Sequence, residues 1–338
     1  MTNQTTESTV SSSSRALFKF TGNGSEYFKI WIVNVLFTIL TLGIYSAWAT
    51  VRNNKYFYSN MYLDGSNFRY LADPMTILKG RIIAIVVLII YSLAANYSPV
   101  YSMIILIPLL ISMPYFYNQS LAFHMRMSAY KNIQFRFKGS YLGAVMALFV
   151  WPILGVLTLG ILLPTSLQKI NEYVVNNSSY GTSSFKFSAT YKDYGMILLM
   201  MIGATVLFAI FGAIIGAIFA FFIPVLLPVF IGFFYLIMLV FFIASTTNLF
   251  YRRLSLVDHE FDCTLTVSGY IKVILINTFL IIITLGLYAP AAKVRMVKYL
   301  SDNIVMKVNG SLEGFSAAEK ENVNALGEEM GQVVFDFA

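Results

Sequence analysis

Four long apolar runs constrain this chain more than anything else in it. Residues 82–97, 100–124, 196–222 and 225–250 contain no Asp, Glu, Lys or Arg. Wound as helix at about 1.5 Å per residue, they cover or nearly cover a hydrocarbon core about 30 Å thick. At the short first run, Lys79 and Arg81 are placed to snorkel to the interface. The runs fall into two pairs, joined at Ser98-Pro99 and at Ile223-Pro224, and neither joint carries a charge. With 12% charged and 58% hydrophobic residues, the chain has too little polar surface to cover such runs in water. The expected fold is therefore an all-α polytopic membrane protein with two spanning helical hairpins.

A second pattern divides the chain. Thr41-Leu42-Gly43 returns as Thr158-Leu159-Gly160 and as Thr284-Leu285-Gly286. Counting from each Thr, a Phe lies 23 residues before (Phe18, Phe135, Phe261) and a cation 11 after (Arg52, Lys169, Arg295). A Tyr lies 15 after (Tyr56, Tyr173, Tyr299) and an Asn 19 after (Asn60, Asn177, Asn303). Columns held in register without a gap point to three internal pseudo-repeats. The expected organisation is a Ser/Thr-rich disordered leader (1–14), repeat 1 with the first spanning hairpin (15–131) and repeat 2 with the second (132–257). Repeat 3 (258–315) and an acidic tail (316–338), read as solvated helix or disorder, complete it.

Around each motif the pattern suggests small β-hairpins. Leu17 to Thr21 alternates at period two, and residues 133–137 and 261–265 echo it. Leu63-Asp64-Gly65-Ser66 is a turn signature, with residues 68–71 as the return strand and Phe185-Lys186-Phe187 as its counterpart.

The cations then force a choice. If the three motif segments also spanned, thirteen of the twenty-three Lys and Arg would fall on the outer face, against the positive-inside bias. The conflict disappears if each motif segment is a re-entrant or short helix that turns back at Thr-Leu-Gly. Residues 27–40 make about 21 Å of helix and residues 44–51 about 12 Å, a depth suited to such a turn. Glycine supplies the backbone freedom, and Pro164 and Pro290, six residues after their Thr, suit the first turn of a returning helix. An ordinary spanning helix that tolerates its glycine is the alternative.

The residues quoted so far resemble the YjgN family of bacterial inner-membrane proteins. The likeness is carried by residues 18–30 (FKFTGNGSEYFKI), residues 40–49 (LTLGIYSAWA), Asp73-Pro74 and Leu78-Lys79-Gly80, and runs from about Phe18 to Phe315. Ala47 stands where that family leads one to expect Pro. The resemblance implies a multi-pass protein of the bacterial cytoplasmic (inner) membrane and carries no established activity or site residue.

Candidate functional residues come from the residues alone. Asn34 and Asn277 are amides inside apolar segments; they suit either a polar solute path between broken helices or a helix-to-helix hydrogen bond. With them we name the turn residues Thr41, Gly43, Thr158, Gly160, Thr284 and Gly286 as solute-path candidates. Arg52, Lys169 and Arg295 are interfacial cations, either a ring for an anionic solute or lipid head group or simple anchors of helix ends. Gly212, Gly216 and Ala220 form a small-residue stripe for helix packing.

Enzyme chemistry has little support. His124 and His259 share no metal-ligand spacing, Cys263 has no histidine at a nucleophile spacing, and no metal site or cofactor is expected. The charge of +7 reads as cytoplasmic loops facing anionic lipid, not as a nucleic-acid surface. The expected function is a channel or transporter-like protein for a small solute, an anionic one suiting the cations. The alternative is a non-catalytic envelope protein that binds lipids or partner proteins through a basic cytoplasmic face. Both termini are expected in the cytoplasm, with the lipid bilayer as the constant partner.

Overall fold

The computed structural model describes residues 13–222 and 226–323. The chain runs strand, helical hairpin, strand, five times over. β1 (Ser13–Phe20) leads to α1 (Gly24–Leu40) and α2 (Ser46–Ser59), which return to β2 (Met61–Leu63). β3 (Ser66–Tyr70) leads through α3 (Pro74–Tyr97) and α4 (Pro99–Arg126) to β4 (Ser128–Tyr130). β5 (Ile133–Phe137), α5 (Tyr141–Leu157), α6 (Leu163–Asn176) and β6 (Ser178–Tyr180) form the third unit. The fourth is β7 (Ser183–Phe187), α7 (Tyr191–Phe222), α8 (Leu226–Arg252) and β8 (Leu254–Leu256). The fifth is β9 (His259–Cys263), α9 (Val267–Ile283), α10 (Ala289–Asp302) and β10 (Ile304–Asn309), after which α11 occupies 312–323.

The strands make one closed antiparallel barrel in the order β1-β10-β9-β8-β7-β6-β5-β4-β3-β2. This overturns the expectation of an all-α fold with small β-hairpins. The physical reason is closure: β1 meets β10 with Leu17 opposite Val305, a pairing that no local pattern announces. Three-residue strands such as β4, β6 and β8 are also too short to carry a period-two signal.

Within β1 the alternation sets the two faces. Ala16 and Phe20 are buried, whereas Arg15, Leu17 and Lys19 are exposed. The barrel wall thus carries Arg15 and Lys19 on its outer face and apolar residues within. Asp64-Gly65 (φ 48° and 72°) and Lys131-Asn132 (φ 46° and 67°) have both central residues left-handed, the type I′ geometry that fits strand twist.

Because every neighbouring pair is antiparallel, all five helical hairpins leave one rim. The tight turns and α11 gather at the other. α1 begins and α2 ends on strands paired with each other (Phe18 opposite Leu63), so the chain comes back to the rim it left. The same holds for α5–α6 between β5 and β6 and for α9–α10 between β9 and β10.

Around the barrel axis each helix packs on the next, from α1 through α10, and α10 closes the ring on α1. At that seam a Cβ on Gly24 would lie 2.9 Å from the Cβ of Ala291, so the two helices touch almost backbone to backbone. Four helices are long and apolar enough to cross a bilayer: Pro74–Tyr97, Pro99–Arg126, Tyr191–Ala213 and Leu227–Arg252. Their side chains are largely exposed, and α3 buries none, as fits a membrane protein.

The ends differ from expectation where they are described. Ser13 and Ser14, assigned to the leader, belong to β1, while residues 1–12 and 324–338 lie outside the described residues. Within the acidic tail, Glu319 is only 2% exposed instead of solvated, because α11 lays Leu312, Phe315 and Glu319 against the barrel mouth.

Candidate functional site

The three Thr-Leu-Gly motifs form one turn used three times. Leu42, Leu159 and Leu285 have φ of 50°, 53° and 48°, and the glycines that follow have 92°, 93° and 92°. Each Thr hydroxyl closes the turn from both sides. Thr41 Oγ1 donates to Phe37 O at 2.7 Å and accepts from Tyr45 N–H at 2.9 Å, and Thr158 and Thr284 repeat the pattern. The hydroxyls of Thr41, Thr158 and Thr284 are thus engaged with backbone. Gly43, Gly160 and Gly286 supply the left-handed bend.

The amides lie inside the hairpins. Asn34 is 3% exposed and donates to Asn53 Oδ1 at 2.9 Å, leaving its own carbonyl unpaired. Asn277 is 6% exposed, donates to Ala292 O at 3.2 Å and accepts from Arg295 Nη1 at 3.2 Å. Both therefore bridge the two arms of a motif hairpin.

The cations are engaged locally in the same way. Arg52 donates to Tyr45 Oη at 2.9 Å, Arg295 to Tyr288 Oη at 2.6 Å, and Lys169 pairs with Glu172 at 2.7 Å. Each works within its own hairpin. Arg81, placed to snorkel, reaches across from α3 to the hydroxyls of Ser46 and Thr50 on α2.

In the small-residue stripe, Gly216 faces α8, where a Cβ would come within 3.2 Å of Leu227. A Cβ on Gly212 would lie nearest Phe208 of its own helix, and the side chain of Ala220 lies outside the described residues. Among the described residues no cluster of three His, Cys, Asp or Glu is arranged to hold a metal. Cys263 is fully buried in the barrel wall, and burial pushes its thiol up.

The cavity the residues did not announce is the barrel lumen. It holds an apolar space of about 170 Å³, walled by Phe18, Phe68, Tyr130, Phe135, Tyr180 and Phe261 among others. Engineered apolar cavities of about 150 Å³ stay dry and take up benzene or xenon. The polar ends of its tyrosines are spoken for: Tyr180 Oη donates to Tyr130 O at 3.0 Å and Tyr130 Oη to Leu63 O at 2.7 Å. Burial pushes both phenols up, so they remain neutral donors.

Toward the helical rim the lumen adjoins two wider apolar spaces, of about 380 and 310 Å³, which share Phe18, Phe68, Phe135 and Phe185 with it. Their walls come from the second arm of every hairpin: Tyr58 of α2, Met125 of α4, Val174 of α6, Tyr251 of α8 and Leu300 of α10. One sequence signal pointed here without being read. The Phe that precedes each motif by 23 residues is Phe18, Phe135 and Phe261, and all three line the lumen.

The comparisons with known proteins agree on a family and are silent on activity. Three curated relatives carry the name inner membrane protein YjgN. The one from Salmonella typhimurium is 28% identical over 54% of this chain, and the one from Escherichia coli O157:H7 is 30% identical over 42%. A third, from Escherichia coli K12, is 51% identical over 53 residues. The chain covers less than half the length of each of them, 44%, 36% and 13% respectively. No solved structure matches the chain. The model of the family described as bacterial protein of unknown function (DUF898) matches residues 15–333, and the chain belongs to that family.

Proposed function

We propose that this is a non-catalytic protein of the bacterial inner membrane that takes one apolar chain of a lipid out of the bilayer and holds it in the barrel lumen. The observation that carries the reading is the lumen itself, apolar throughout and continuous in its lining with the space framed by the five returning helices. Burial of apolar surface drives such binding, at about 25 cal/mol per Å². The relatives' names support the location.

The same reading places the barrel in the cytoplasm and both termini with it. The charge-free joint at Ser98-Pro99 then faces outward, and the cations at the helix bases meet anionic head groups. The motif hairpins are three copies of one re-entrant unit. In support, Leu42, Leu159 and Leu285 are more than 90% exposed at the tips while held left-handed. An asparagine would relax more easily there, but it has no partner in lipid.

Passage of a small anionic solute has weaker support, because the amides and cations named for it are satisfied within single hairpins.

The test is native mass spectrometry of protein extracted with its lipids. Wild type should carry an acyl-chain ligand, and filling the lumen at its lining residues by Leu63→Trp or Leu256→Trp should lower its occupancy at least tenfold. Wild type free of acyl chains, or well-folded filled variants that keep full occupancy, would overturn the reading.

A further inference from the structure

The lumen has a second mouth, at the rim of tight turns, and α11 stands in it. Leu312, Phe315, Ser316 and Glu319 form the one face that this helix turns inward, at the spacing of a helical stripe. Phe315 stacks on Tyr180 (centroids 6.1 Å apart) and meets His259 edge-on at 4.8 Å, so its ring is part of the cavity wall. The opposite face, with Glu313, Lys320 and Glu321, is exposed.

What fastens the helix is local and polar. The Glu319 carboxylate accepts from the backbone N–H of Thr182 and of Ser183 and from the Ser183 hydroxyl at 2.7 Å. These three groups belong to the β6–β7 turn, about 137 residues away along the chain. Among the described residues no lysine or arginine pairs with that carboxylate. On the N-terminal side of the helix, Gly310 joins it to β10 at φ 82°, and a Cβ there would meet no atom within 4 Å. A lid latched at one end and hinged at the other can leave the mouth without disturbing a strand pair.

We propose that α11 is a removable stopper, and that lifting it opens the lumen to the aqueous side, so that a chain drawn from the bilayer can leave toward water. This rests on the reading of the lumen as a site for an apolar chain. Burial alone would raise the Glu319 carboxyl, but the hydrogen bonds from Thr182 and Ser183 outweigh it and hold it below the ordinary carboxylate value. A folded value below the unfolded one favours the latched state above the ordinary Glu range, and that advantage disappears only as pH falls through the lowered value. The latch is therefore set throughout the neutral range, and displacement of Phe315 by the occupant, not a proton, is the event that frees it.

The experiment places the full chain in lipid nanodiscs with Met306→Cys as reporter, a lumen residue 2% exposed, and treats it with a charged maleimide that does not enter lipid. Met306→Cys should label slowly with Glu319 intact, at least tenfold faster with Glu319→Ala, and at an intermediate rate with Glu319→Gln, which keeps one acceptor oxygen. Amide exchange across residues 312–323 should accelerate in the same order while β1 and β10 stay protected, which separates a lifted stopper from an unfolded barrel. A second arm loads the protein with radiolabelled palmitate and follows its transfer to albumin in the buffer, expected to be faster with Glu319→Ala. Equal labelling rates with and without the latch, or fast labelling of the latched protein, overturn the stopper. Failure of the wild type to hold palmitate overturns the lumen reading instead, and the maleimide rates still decide the stopper.

Discussion

The long apolar hairpins and the motif hairpins leave the same rim of the same barrel, yet they are held in different proportions by apolar and polar contact. α3 buries none of its residues within the protein, and its polar ties to a neighbour are those of Arg81 to Ser46 and Thr50 on α2. α7 and α8 meet mainly through apolar contact, with Phe208 and Phe234 stacked at 3.7 Å. The motif hairpins share one set of hydrogen bonds that recurs in each. Tyr56, Tyr173 and Tyr299 donate to the carbonyls of Asn23, Ser140 and Thr266 at the helix entry. Asn60, Asn177 and Asn303 turn back onto the carbonyl of that same Tyr, at 2.8, 2.7 and 2.7 Å. A long apolar helix needs little else in lipid, because its backbone is satisfied internally. In the motif hairpins, polar contacts fix the angle between the two arms.

The comparison can be broken most directly at the amides. Asn277→Leu removes the acceptor of Arg295 and the donor to Ala292 and should cost about 1–3 kcal/mol, read as a lower unfolding midpoint in detergent. Asn34→Leu removes a carbonyl that already lacks a partner, and its other contact, Asn53, is only half-buried. It should cost under about 1 kcal/mol. Equal losses would mean that the two hairpins are not pinned in the way described.

Glycines give the next largest contrast. Gly43→Ala and Gly286→Ala meet no atom within 4 Å, so their cost is that of holding alanine at φ 92°. That is about 1–2 kcal/mol. In the spanning helices Gly203 and Gly232 also face open space but are helical. Replacing either by alanine should stabilise by about 0.5–1 kcal/mol. A destabilising Gly203→Ala would point to a packing partner for α7 and would place that hairpin with the pinned class.

Much of this architecture was legible. The charge-free runs announced α3, α4, α7 and α8. The bias of the cations argued for motif segments that turn back, and the pairing of β1 with β2 brings the chain to the rim it left. The aligned Phe, Tyr and Asn columns were visible, but their tasks were not. The Phe column lines a lumen, the Tyr column clamps a helix entry and the Asn column caps a helix end. Asn34 and Asn277 were picked for being polar in apolar surroundings, and the structure pairs each across its own hairpin. The lumen escaped because its lining comes from strands of three to eight residues spread from Ser13 to Asn309, joined by contacts between distant segments.

What the sequence determined by itself is whatever repeats locally: apolar helices of sufficient length and turns that need glycine. Those follow from solvation and backbone sterics, which act on neighbours in the chain. Tertiary structure alone decided that five separate pairs of strand ends close into one barrel, with β1 against β10 and a C-terminal helix across the far mouth. Closure depends on strand pairing between segments almost three hundred residues apart, and a hydrogen-bonded edge carries no mark of its partner.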